Sequence, residues 1–166
     1  MTYNSVSTIP ELVQELANKL LAKKLIMATA ESCTGGWISE SLTSRAGSSN
    51  WFDTGFVTYS DDAKQRLLEV PSSLFEYGGP GAVSEETVRA MAHGAIRNSR
   101  ANIAVAVSGI AGPDGGNLEK PVGTVWIAWQ WEDKILSRCF CFSGGREAVR
   151  LATVVAALEG TLTLLG

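Results

Sequence analysis

Histidine is almost missing from this 166-residue chain, which has one, and its basic residues never gather into a run. The lone His93 lies in an Ala- and Met-rich stretch with no carboxylate placed beside it to orient it, so a serine–histidine–carboxylate triad is not the expected chemistry. Fourteen Lys and Arg stand against 17 Asp and Glu, a formal net charge of −3, which argues against duplex nucleic acid as a partner. The three cysteines, Cys33, Cys139 and Cys141, are odd in number and spaced for neither a zinc site nor a disulfide framework. There is no uninterrupted apolar stretch of about eighteen residues, which argues against a membrane span. The opening MTYNSVSTIPE lacks the basic-then-hydrophobic order of a signal peptide. These shortages lead to the expectation of a reduced, cytoplasmic protein with no membrane partner, no metal and no cofactor.

What is abundant is apolar: 45% of the residues are hydrophobic, enough for one domain with a real core and too short a chain for two comfortable ones. One domain over residues 1–166 is expected. Thr8-Ile9-Pro10-Glu11 is a helix start, and Leu12, Val13, Leu16, Ala17, Leu20 and Leu21 recur as one buried stripe. Leu25 to Ala30 reads as a buried strand, followed by a helix through Leu42. Phe52 to Tyr59 reads as a second strand, with Ser60 capping the helix that carries Lys64. Ser84 opens another helix through about Asn98, and Ile103 to Val107 is the clearest buried strand. Gly123–Trp131 and Ile135–Phe142 form a hairpin around Glu132-Asp133-Lys134, and a last helix rich in Ala, Val and Leu follows Arg146. The mixture predicts an α/β fold, a three-layer α/β/α single domain on a mixed sheet. In such sheets ligands collect at the carboxyl ends of strands.

Four segments have chemical potential. Ala30-Glu31-Ser32-Cys33-Thr34-Gly35-Gly36 places two hydroxyls, a thiol and two glycines where a strand meets a helix, with backbone N–H groups able to face an anion. It is also an ordinary strand-to-helix turn with Thr34 as a cap, and it is no Walker motif. Gly47-Ser48-Ser49 precedes Tyr59 and Lys64. A serine needs a base, and a lysine kept neutral by burial can supply one. Ser108 to Gly116 is a glycine-rich loop directly after a buried strand, and Ser143-Gly144-Gly145-Arg146 puts an arginine at a helix start, fit to clamp a phosphate or carboxylate. Cys33 is a rival nucleophile near a helix start, ranked below Ser49. Trp126, Trp129 and Trp131 share a strand and read as core packing or as a subunit interface.

Taken in series, the segments from Leu25 to the C-terminus resemble the CinA C-terminal domain family. The likeness rests on the Ala30–Gly36 stretch, Gly47-Ser48-Ser49, Gly55-Phe56-Val57-Thr58-Tyr59-Ser60 and Gly81-Ala82-Val83-Ser84-Glu85. It continues through Ser108–Gly116, Lys120-Pro121-Val122-Gly123 and Gly144–Arg150. The resemblance implies an α/β/α fold and conversion of nicotinamide mononucleotide to nicotinate mononucleotide and ammonia by a serine–lysine mechanism with tyrosine assistance. By position it implies Ser49 as nucleophile, Lys64 as base, Tyr59 assisting and Arg146 on the substrate. Ser32, Thr34, Gly35, Gly36, Gly47, Ser48, Ser108, Gly109 and Gly112 are the further substrate-binding candidates. Asp53 joins them, at a place where the family often has another polar residue. A homodimer is expected. The alternative is a silent nucleotide- or partner-binding module of the same fold.

Overall fold

The computed structural model describes residues 8–166. Helix α1 (Ile9–Lys23) leads to strand β1 (Met27–Glu31), helix α2 (Trp37–Thr43) and strand β2 (Phe52–Val57). Helices α3 (Asp61–Leu68) and α4 (Glu85–Arg97) precede strands β3 (Ile103–Gly109), β4 (Thr124–Trp131) and β5 (Lys134–Cys141), and helix α5 (Arg146–Leu165) closes the chain. The five strands form one sheet in the order β2-β1-β3-β4-β5. The first three are parallel and the last two antiparallel to their neighbours, so the mixed sheet expected from the sequence is present.

Strand alternation separates two cores. Met27, Ile103, Val105, Val107, Val125, Ile127 and Trp129 pack with α1, α2 and α5 in one cluster. The intervening positions are small, with Ala28, Ala30, Ala104, Ala106 and Ala128 under α4. Alanines on that face let α4 sit close to the strands, and Gly94 lets it close on α3: a Cβ there would lie 2.0 Å from the Leu68 carbonyl oxygen. On the other face Gly160 of α5 lies against the Trp129 ring, whose indole N–H donates to the Ala157 carbonyl at 2.9 Å. α5 is long and apolar enough to cross a membrane by length and composition, yet Val149, Val154, Ala157, Leu158, Leu164 and Leu165 are buried in the α1-side core.

One expectation about packing changes. Leu21 is half exposed and falls outside the stripe of α1, because the helix turns it past the contact with α5. The three tryptophans lie on β4, an interior strand, where Trp129 is buried in one core and Trp126 and Trp131 pack against the cores, in line with core packing. Strand β5 forms that edge of the sheet and presents half-exposed Leu136 there.

The register positions the site. Glu31 pairs with Val57 and with Val107, so β1, β2 and β3 all end at the same edge of the sheet. Beyond β3 the direction reverses. The chain segments leaving these three strands therefore converge, as expected at a switch point.

Candidate active site

Ser32 is the first residue after β1, and its N–H donates to the Val107 carbonyl at 3.1 Å, which ties it to the end of β3. The turn behind it is organised by Glu31, a fully buried carboxylate. Glu31 accepts from the Thr34 hydroxyl at 2.7 Å, the Ile38 N–H at 2.8 Å, and the Ser39 N–H and hydroxyl at 2.9 and 2.7 Å. Two of these donors are first-turn amides of α2, which have no partner inside their helix. Gly36, at φ 102°, lets the chain swing from the turn into α2.

Lys64 reaches the same place from the neighbouring strand. β2 ends at Val57, Ser60 caps α3 by accepting the Ala63 N–H at 3.0 Å, and one helical turn later Lys64 points back under the sheet edge. It is 1% exposed. Its Nζ lies 3.0 Å from Ser32 Oγ, 2.9 Å from the Thr58 carbonyl oxygen and 3.4 Å from that of Tyr59. Burial pushes the ammonium below the usual lysine range, while Asp61 and then Cys33 pull the other way. No carboxylate pairs directly with it among the described residues. The arrangement suits a lysine that gives up its proton and then takes one from a hydroxyl.

A cleft of about 190 Å³ opens onto this pair. Ser108, Gly109 and Ala111 wall it from the β3 side, Ala82 and Val83 from the approach to α4, and Tyr59, Asp61 and Arg146 stand at its mouth. Whole small-molecule sites usually measure about 300–1,000 Å³. This cleft therefore has room for one ring and its substituent, with the rest of a larger ligand at the rim. Arg146 donates to the Gly112 carbonyl at 2.8 Å and to the Tyr59 hydroxyl at 3.1 Å, which fixes its guanidinium at the rim. Arg150 donates to the Cys33 and Thr34 carbonyls at 3.1 and 3.0 Å and holds the Ser32 turn from outside.

The structure does not bring Ser49 to Lys64. Gly47, Ser48 and Ser49 precede β2, whereas Tyr59 and Lys64 follow it, and a strand of this length separates its two ends by roughly 17–20 Å. Ser49 lines a different hollow, with Ile26, Asn50, Phe52, Asp53 and Arg100, at the amino ends of the parallel strands. Asp53 belongs there too. It accepts the Arg100 N–H at 3.0 Å and the Thr54 hydroxyl at 2.9 Å and pairs with the Arg100 guanidinium at 3.0 Å. Those bonds, the Arg100 amide first, hold its carboxyl below the usual range. Ser49, Ser48, Gly47 and Asp53 are thus removed from the cleft.

The other candidates divide. Ser32, Tyr59, Lys64, Ser108, Gly109 and Arg146 line the cleft together. Thr34 is fully buried with its hydroxyl spent on Glu31, so it has none to offer a ligand. Gly35 and Gly36 shape the turn at φ 62° and 102°, and Gly112 contributes the carbonyl that Arg146 binds. Cys33 lines the cleft, but burial above all pushes its thiol up to about 11, so it is a thiol where a nucleophile must be a thiolate. Glu31, Asp61 and Arg150 carried no role in the sequence reading. The signal for Ser32 was present: it stands at the carboxyl end of a strand, where ligands collect, and Ser49 stands at the amino end of one.

Comparison with known proteins finds one family. The model of the CinA C-terminal domain matches residues 10–165. A Pseudomonas putida protein named nicotinamide-nucleotide amidohydrolase PncC is 53% identical over 156 residues, which cover 94% of this chain and 96% of that one. The protein of the same name in Escherichia coli K12 is 47% identical over 154 residues, with 92% of each covered. A crystal structure of competence/damage inducible protein CihA from Agrobacterium tumefaciens superposes with a TM-score of 0.92 at 45% identity, over 100% of both chains.

Proposed function

Since this chain belongs to the CinA C-terminal domain family, we propose that it hydrolyses the carboxamide of nicotinamide mononucleotide, giving nicotinate mononucleotide and ammonia. Relatives at 47–53% identity that bear the amidohydrolase name support the reaction. The observation that carries the mechanism is the buried Lys64 Nζ at 3.0 Å from Ser32 Oγ.

Three oxygens surround Lys64 Nζ. A neutral amine has two N–H donors and one lone pair. In that state the Thr58 and Tyr59 carbonyls take the donors, and the Ser32 hydroxyl donates into the lone pair. Lys64 is then already hydrogen-bonded to the proton it removes. Ser32 Oγ attacks the amide carbon as its proton passes to Lys64. The oxyanion is assigned to backbone N–H groups of the turn after Ser32. Lys64 returns the proton to the leaving nitrogen, the C–N bond breaks, and ammonia departs. Water, activated by the same lysine, adds to the acyl-serine ester and releases the carboxylate and Ser32. The pyridinium ring withdraws electrons from the carbonyl carbon and eases both additions.

In this reading Ser32 replaces Ser49 as the nucleophile, and Tyr59 acts chiefly at the rim. The substrate phosphate is assigned to Arg146 with the Tyr59 hydroxyl, where the start of α5 adds its positive end. A cytoplasmic location and a homodimer remain part of the proposal; sedimentation of the purified protein checks the second. The test of the function is ammonia release from nicotinamide mononucleotide by wild type and Ser32→Ala. Release that collapses in the variant supports it. A folded wild type that binds the nucleotide and releases nothing makes the chain a binding module instead.

A further inference from the structure

One wall residue works against the chemistry of the cleft. Asp61 is the first residue of α3, one turn before Lys64, and it lines the cleft. Its neighbour Asp62 is engaged by Arg66 at 2.6 Å, whereas Asp61 enters no ion pair among the described residues. A carboxylate beside a base that must be neutral favours the protonated, inactive form. It is out of place there unless something positive covers it during the reaction. Arg146 lines the cleft as well, so its walls carry one carboxylate and one guanidinium besides Lys64. This wall matches a ligand that is itself charge-separated, cationic near the reacting amide and anionic at its far end.

We propose that Asp61 is the specificity-determining carboxylate of this cleft, selecting amides on a cationic, N-substituted pyridinium ring over neutral pyridine amides. The inference rests on the amidohydrolase reading. With the amide carbon at Ser32 Oγ, the ring lies within a few ångströms of both Lys64 and the α3 start. Its positive charge then offsets Asp61 and adds its own repulsion to the ammonium. Lys64 releases its proton to solvent, and the base becomes active when the right substrate arrives. The other titratable groups facing Lys64 are the Cys33 thiol from the turn after β1, Tyr59 from the end of β2 and Arg146 from α5. Strand β3 and the approach to α4 bring no charge to the cleft.

The experiment compares ammonia release from nicotinamide mononucleotide and from free nicotinamide, across pH, in wild type, Asp61→Asn, Asp61→Glu and Asp62→Asn. Wild type prefers the nucleotide, and the acid limb of its kcat lies at lower pH than that of kcat/KM. In Asp61→Asn the preference drops about three- to tenfold, the size of one partly screened charge at contact range. The kcat/KM limb moves to lower pH, toward that of wild-type kcat. Asp61→Glu restores both features, and Asp62→Asn, with the same change in net charge, alters neither. Asp61→Asn with unchanged preference and an unmoved limb overturns the inference while leaving the amidohydrolase intact. No ammonia from either amide with the folded wild type sinks the amidohydrolase reading, and this inference with it.

Discussion

If Ser32 and Lys64 act as one unit, removing the second after the first should cost almost nothing. The perturbation is Ser32→Ala and Lys64→Met, singly and together; methionine keeps most of the volume of a side chain that is 1% exposed. A positioned general base contributes about 10²–10⁴ in rate, and loss of the nucleophile costs at least as much. Taking about 10⁴ for each single variant, the barrier rises by about 5.5 kcal/mol in both. Independent contributions would multiply to about 10⁸, or about 11 kcal/mol, in the double variant. Among the described residues Lys64 Nζ has its only hydroxyl partner in Ser32 Oγ, so with that oxygen gone the lysine has no proton to take from an attacking serine. The double variant should therefore stay near 10⁴. The assay is ammonia release from nicotinamide mononucleotide at fixed pH, with Ser49→Ala carried alongside and expected to retain activity within about twofold, since a surface serine far from the chemistry carries little. Multiplying losses would refute the joint role. A dead Ser49→Ala with a live Ser32→Ala would refute the assignment of the nucleophile.

Other outcomes follow from the same structure. Lys64 is lowered by burial, so between its folded value and that of the unfolded chain the unfolded state binds more protons, and stability rises with pH across that window. Chemical denaturation at several alkaline pH values should show this slope in wild type and not in Lys64→Met. Glu31→Gln presents an amide NH₂ to a carboxylate site lined by four donors; it should lose about 3 kcal/mol of stability along with most activity, read by urea melts and the ammonia assay. Gly160→Ala puts a Cβ 2.2 Å from the Trp129 ring and should cost about 1–3 kcal/mol, lowering Tm by several degrees with KM unchanged. Tyr59→Phe removes the hydroxyl that accepts from Arg146 and should raise KM severalfold with kcat nearly intact.

Much of this molecule is written in local pattern. Apolar runs flanked by glycine and serine marked the strands, Ser60 and Ser84 marked helix starts that their hydroxyls do cap, and Glu132-Asp133 marked the hairpin, because each depends on residues a few positions apart. That Lys64 is the buried amine was also legible, since it follows a strand that ends in a capped helix. Which serine meets it was not. The family resemblance, carried over by position, pointed to Ser49. Only the parallel pairing of β1 with β2, Glu31 beside Val57, carries Ser32 to the end of the sheet where Lys64 turns back and leaves Ser49 at the other. Register is a long-range quantity, set by two faces of hydrophobic packing at once. The sequence alone determined which chemical groups this protein possesses and which elements hold them; the sheet decided which groups meet, because a strand has two ends and only one of them faces the cleft.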